Sequence, residues 1–225
     1  TSVSTEERRK QVVNKILEGI KQGYKPVVVV SAMGRKGEPY ATDTLLSLLD
    51  SNFKEDNRSA KDLLMCCGEI ISSVILCNDL YRVGINAVPL TGGQAGIITN
   101  DDYNDAQYTD VNTDKIEAII KEGRVPVICG FQGVTKEGYF TTLGRGGSDT
   151  SACILGVALK AKEIQMVYDA MKKADPNDKL VQLKSLEALE EVAKGDANKV
   201  FIPFEATSAL SSLGAVKEVF KDDKK

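Results

Sequence analysis

The chain has 225 residues, 42% of them hydrophobic, which is enough for one large α/β domain or for a medium domain with an appendage. Its 29 Lys and Arg stand against 32 Asp and Glu, a net charge of −3 that offers no basic excess to a nucleic-acid partner. There is no histidine, so Ser-His-Asp and Cys-His catalysis and histidine metal sites are excluded, and Lys, Arg, carboxylates and backbone dipoles remain as the chemical tools.

In chain order, Val12, Val13, Ile16, Leu17 and Ile20 form the apolar stripe of a helix over Thr5 to Lys21. Val27 to Val30 is an unbroken β-branched run, the mark of a strand buried on both faces in the middle of a parallel sheet. Ser31-Ala32-Met33-Gly34 follows at its carboxyl end, where open α/β sheets bind ligands. Ser31 is therefore either a ligand contact or a simple strand-to-loop serine. Thr42-Asp43-Thr44 opens a short Leu-rich helix, with Thr42 or Asp43 available as its N-cap, and Asn52 to Asp62 reads as a charged connector. Leu63 to Leu76 is a helix apolar on nearly all sides, with Glu69 the lone charge inside it. A carboxylate is rarely buried without a partner, so Glu69 calls for a cation or ligand donor, unless it sits in a structural ion pair or at an exposed bend.

Val83 to Leu90 reads as a second strand, Thr91 to Ile97 as a glycine loop after it, and Thr99 to Asn112 as a polar surface connection. A helix over Thr113 to Glu122 leads to a third buried strand, Val125 to Phe131. Thr141 to Thr150, Thr-Thr-Leu-Gly-Arg-Gly-Gly-Ser-Asp-Thr, then feeds an apolar helix. Its glycines, Arg145 and a helix N-terminus suit an anion site, and a turn capped by Ser148 or Asp149 is the plain alternative. The alternation of strand, loop and helix argues a doubly wound α/β/α layer. Cys66, Cys67, Cys77, Cys129 and Cys153 lie in apolar contexts and read as reduced core residues. No apolar run reaches the roughly 18 to 20 residues of a membrane span, and the first ten residues lack a signal core, which makes the cytoplasm the expected compartment.

Six stretches, Val-Val-Val-Val-Ser-Ala-Met-Gly (27 to 34), Ala-Thr-Asp-Thr-Leu-Leu (41 to 46), Cys-Gly-Glu-Ile-Ile-Ser-Ser (67 to 73), Leu-Thr-Gly-Gly-Gln-Ala-Gly (90 to 96), Gly-Phe-Gln-Gly (130 to 133) and Thr-Thr-Leu-Gly-Arg-Gly-Gly-Ser-Asp-Thr-Ser-Ala (141 to 152), resemble the aspartokinases of the amino-acid kinase superfamily, in the family's order. The resemblance implies a three-layer α/β/α sandwich with a mainly parallel sheet, and ATP-dependent phosphorylation of the β-carboxylate of L-aspartate. It also implies site roles. Arg145 pairs a substrate carboxylate, Glu69 takes the substrate ammonium, and Thr42, Phe131 and Ser148 line the aspartate pocket. Ser31 and Asp149 act at the transferred phosphoryl group, and Ser31, Gly34, Gly146 and Gly147 approach the phosphates of ATP. Mg2+ would arrive with ATP, without a dedicated protein site, and a homo-oligomer is expected.

The family begins with Lys-Phe-Gly-Gly before Thr-Ser-Val, and it carries a Thr-Asp-Val-Asp-Gly segment after the helix that follows the Arg145 loop. Neither stands in this sequence, so impaired nucleotide binding is expected. From about Glu163 the character changes. Leu180, Leu183, Leu186, Leu189 and Val192 repeat at three-residue spacing, Val200 to Phe204 reads as a short strand, and Ser208 to Phe220 as a closing helix. This stretch resembles the C-terminal part of band-7/SPFH proteins, which implies oligomerisation and a link to membranes and makes a non-catalytic oligomerising scaffold the alternative function. The expected organisation is a kinase-like domain over residues 1–162 and a helical, short-strand appendage over 163–225.

Overall fold

The computed structural model describes residues 3–34, 37–144, 146–167 and 197–203. Arg145 lies outside the described residues, as do 168–196 and 204–225, on which most of the SPFH resemblance rests.

Fifteen elements are described: α1 (Glu6–Lys21), β1 (Val27–Val30), α2 (Thr42–Leu46), α3 (Ser51–Asp56), α4 (Arg58–Tyr81), β2 (Ala87–Leu90), β3 (Ile97–Thr99), β4 (Tyr108–Val111), α5 (Asp114–Lys121), β5 (Val125–Cys129), β6 (Gln132–Val134), β7 (Phe140–Thr142), α6 (Gly147–Ala158), β8 (Ala161–Val167) and β9 (Ala197–Pro203). The main sheet runs β2-β5-β1-β9-β8, and every neighbouring pair in it is parallel. The four-valine strand sits at its centre, as its composition demands. Val27 and Val29 point into a core shared with Ile116 and Ile119 of α5 and Ala152 and Leu155 of α6. Val28 and Val30 point into a second core with Val12, Val13 and Ile16 of α1 and Leu76 and Leu80 of α4. Alternation along one strand thus builds both faces of a three-layer α/β/α sandwich.

Where chain chemistry was strongest, the expected elements stand: α1 begins after Thr5, whose hydroxyl accepts from the Arg8 amide at 3.3 Å. The charged stretch before Leu63 is not a connector. It holds α3 and the first turn of α4, and Asp62 is fully buried. The second strand is shorter than expected, because α4 runs on to Tyr81 and a turn follows. The polar connection after Thr99 contains β4, which pairs antiparallel with β3 in a small second sheet of order β4-β3-β6-β7. Thr42 and Asp43 do not cap α2, whose N-cap is Ala41 without a side-chain hydrogen bond.

The 24-residue α4 is long and apolar enough to cross a membrane by length and composition alone. It packs against β2, β5 and β7 and buries two carboxylates, Asp62 and Glu69, which marks it as a core helix.

Candidate active site

The candidate site lies at the carboxyl edge of the main sheet. Directly after β1, the buried Ser31 and Ala32 turn across α4, and the Ala32 amide donates to Glu69 Oε1 at 2.9 Å. Gly68 allows this approach, since a Cβ there would stand 2.7 Å from the Ala32 Cβ and 3.1 Å from the Tyr40 carbonyl oxygen. Glu69 is only 3% exposed, and its carboxyl group lies buried beneath the β1 loop. Thr42, half-buried, opens α2, which packs on α4 just beyond that loop. Gly34 lies on the loop's outer limb, turned toward Pro39.

The exit of β5 forms the second wall. The Gly130 amide donates to the Val30 carbonyl at 2.8 Å, which joins the two strand ends. Gly130 abuts Ser148, where an added Cβ would lie 2.8 Å from the Ser148 Cβ. Phe131 takes a left-handed backbone, φ 67°, a conformation an L-residue keeps only when its surroundings hold it. Its amide donates to Ser151 Oγ at 3.0 Å, its carbonyl accepts from the Leu143 amide at 2.9 Å, and Ser151 Oγ donates to the Gly147 carbonyl at 2.9 Å.

The first turn of α6 closes the group. Gly146, φ 73°, is its N-cap, and no side chain caps it. Ser148 and Asp149 are half-buried residues of that first turn, so the reading of a turn capped by either is not what the fold adopts. The Gly147 and Asp149 amides donate to the Gly144 and Gly146 carbonyls at 3.2 and 3.0 Å, so the turn closes on its own backbone, and the helix dipole is what favours negative charge at this end. The fold therefore brings Ser31 close to Glu69 through Ala32, and brings Phe131, Gly147 and Ser148 together through Gly130 and Ser151.

Burial disfavours the thiolate form of the core cysteines. Burial pushes the Cys129 and Cys77 thiols up to about 12, and it pushes the Cys66 thiol up as well, with the Glu69 charge adding to the effect at Cys66 and Cys129. All five cysteines are free thiols. Among the described residues no group of three or more carboxylates or cysteines is arranged to hold a metal ion.

Several framework residues escaped the sequence reading. Gln132, fully buried, accepts from the Gly92 amide through Oε1 at 3.3 Å and donates from Nε2 to the Cys66 carbonyl at 3.3 Å, tying the glycine loop after β2 to α4. Ser151 locks Phe131 to α6, and Asp62 holds the end of β7. A helical wheel would have flagged Asp62, which lies two turns before Glu69 on the same face.

An open, parallel α/β sheet whose carboxyl edge gathers a glycine loop, a buried carboxylate and a helix N-terminus has the place where α/β proteins receive small ligands. The chain belongs to the amino acid kinase family, whose pattern it matches over residues 1–210. It is 46% identical over 178 residues to aspartokinase 1 of Bacillus subtilis, an overlap of 78% of this chain and 44% of that protein. Among solved structures it resembles aspartate kinase from Synechocystis, with 31% identity, a TM-score of 0.61, and coverage of 92% of this chain and 37% of that one. It shares the fold of E. coli aspartokinase III in complex with aspartate and ADP, with 19% identity, a TM-score of 0.62, and coverage of 73% of this chain and 46% of that one. The chain spans about half the length of the curated relatives it matches.

Proposed function

We propose that the chain carries the amino-acid site of an aspartate kinase, which moves the γ-phosphoryl group of ATP to the β-carboxylate of L-aspartate and yields 4-phospho-L-aspartate and ADP, the entrance to lysine, threonine and methionine synthesis. The observation that carries this reading is the meeting of four motif segments at one sheet edge: Ser31-Ala32 on Glu69, and Gly130-Phe131 on Ser148. The relatives named aspartokinase, and the aspartate and ADP held by the E. coli enzyme, support the choice of substrates.

In this reading Glu69 receives the substrate ammonium, and the Ala32 amide keeps its carboxylate in register. Arg145, outside the described residues, pairs the α-carboxylate, and Thr42, Phe131 and Ser148 bound the pocket. Ser31 with Gly34, and the first turn of α6 with Gly146 and Gly147, offer hydroxyl and backbone donors to phosphate oxygens, while Asp149 orders the transfer centre. When bound, Mg-ATP would supply the electrophilic phosphorus. A β-carboxylate oxygen attacks that phosphorus as the bond to ADP breaks, and no proton needs to move. Positioning and charge neutralisation are the protein's share, which a chain without histidine can provide. Cytoplasmic residence and a homo-oligomeric state belong to the same proposal.

Calorimetry with L-aspartate and coupled detection of ADP test it. Saturable aspartate binding is expected, and whatever ADP is released should depend on aspartate. An Arg145→Ala protein that binds aspartate as the parent does would remove Arg145 from the pocket, and a parent chain blind to aspartate would sink the function.

A further inference from the structure

Asp62 and Glu69 are the buried carboxylates among the described residues, and they stand on one face of α4 about 10 Å apart along its axis, given the ~1.5 Å rise per residue. Asp62 is fully buried. Its Oδ2 accepts from the Thr142 amide at 2.8 Å and from the Asn104 amide at 3.0 Å, and its Oδ1 accepts from the Thr142 hydroxyl at 3.2 Å. The donors are two backbone amides and one hydroxyl, so the carboxyl group is spent on fixing the course of the chain.

What it fixes is the root of the loop on which Arg145 stands. Thr142 is the last residue of β7, and Leu143-Gly144 lead from it to Arg145 and the start of α6. The segment around Asn104 runs alongside: the Ala106 amide donates to the Thr142 carbonyl at 2.9 Å, and Asp105 Oδ1 lies against Gly144. Asn104 has a left-handed backbone, φ 75°, of the kind that persists where neighbours hold it. Two helical turns further on, the same helix grips the other loop of the site through Glu69 and the Ala32 amide.

We propose that Asp62 is a positioning residue for substrate binding: by clamping the Thr142 and Asn104 backbone to α4, it sets the distance between the end of β7, from which the chain runs on to α6, and the Ser31–Gly34 loop. The inference rests on the aspartate-binding reading above and adds a residue to it. α4 is then a spacer with a carboxylate at each contact point, one for the amino-acid loop and one for the phosphate-side loop.

The test compares the full chain with its Asp62→Ala, Asp62→Asn and Thr142→Val variants, titrated with L-aspartate. Asp62→Ala should weaken the aspartate Kd by about tenfold or more, the scale on which loosened positioning is felt. Asp62→Asn should recover most of that loss, because the amide oxygen accepts from both backbone donors and the amide nitrogen donates to the Thr142 hydroxyl. Thr142→Val, which removes only the hydroxyl bond, should cost a few-fold and serves as the probe if Asp62→Ala does not fold. A folded Asp62→Ala, or a Thr142→Val, with the parent's Kd would overturn the proposal, whatever happens to the melting temperature. Amide exchange separates this failure from that of the function itself. If the parent chain binds no aspartate, faster exchange at 142–146 in the variants still supports the clamp, and unchanged exchange there rejects it.

Discussion

At the scale of the residue, two glycines of the site differ in what a methyl group would meet. Gly68→Ala would drive a Cβ to 2.7 Å from the Ala32 Cβ, so the β1 loop must shift, and the expected cost is about 1–3 kcal/mol of stability together with a loss of aspartate binding. At Gly146 nothing lies within 4 Å of the added atom, and the left-handed φ of 73° alone opposes it, at about 1–2 kcal/mol. Urea unfolding of both variants checks the pair, and binding that survives intact in Gly68→Ala would show that the loop tolerates displacement. Asp62 makes a prediction in pH. Burial raises its carboxyl above the ordinary value, while the bonds from Asn104 and Thr142 and the charge of Lys61 pull it partly back. The fold thus holds the proton more tightly than the unfolded chain does. Stability should fall as pH rises from about 4, where the unfolded carboxyl ionises, to the raised folded value, and stay level above it. The parent-minus-Asp62→Asn difference in unfolding free energy should decline over that window, and a difference that grows there contradicts the assignment. Glu69 was legible as a lone charge in an apolar helix. Asp62 was legible only in its spacing from Glu69: Arg58 and Lys61 precede it with the look of a solvated face, and its partners at 104 and 142 are distant along the chain.

At the scale of the element, strands with a full apolar run and helices with a clear stripe could be read from sequence, and the second sheet could not. β3, β6 and β7 have three residues each, too few for alternation to register, and their glycines and threonines look like loop. β4 exposes most of its residues and is a strand by virtue of its pairing with β3. α1 and α4 show how helices are fixed to one another. Arg9 Nε donates to Asp79 Oδ2 at 2.7 Å, with the two side chains 14% and 11% exposed, whereas Arg82 reaches the same carboxylate at 3.4 Å from a side chain 65% exposed. Arg9→Ala should therefore cost about 1.5–3 kcal/mol, the range for a hydrogen bond to a charged group. Arg82→Ala should cost about 0.5 kcal/mol or less, as exposed pairs do. Thermal or urea unfolding of the two single variants measures the contrast, and equal costs would mean that burial does not govern this pair.

At the scale of the whole molecule, β9 is decisive. It lies between β1 and β8, pairing Val27 with Val200 and Val28 with Phe201 on one side, and running in register with β8 from Ala161–Ala197 to Val167–Pro203 on the other. The sequence offered a short strand at Val200 to Phe204 but no address for it, because strand order depends on long-range pairing and not on local pattern. A division of the chain near residue 162 and this strand order make opposite forecasts. If the first part is self-sufficient, residues 1–162 fold alone. If β9 is the inner strand, a chain ending at Val167 leaves β8 with no neighbour in the sheet and bares one edge of β1, a strand buried on both faces in which all four valines are fully covered. An unpaired edge of that kind is costly to bury and prone to pair with other chains. The truncated chain should scatter light as an aggregate and lose cooperative unfolding followed by circular dichroism, while the full chain keeps it. A monomeric truncation that unfolds cooperatively would remove β9 from the heart of the sheet and favour the two-part organisation.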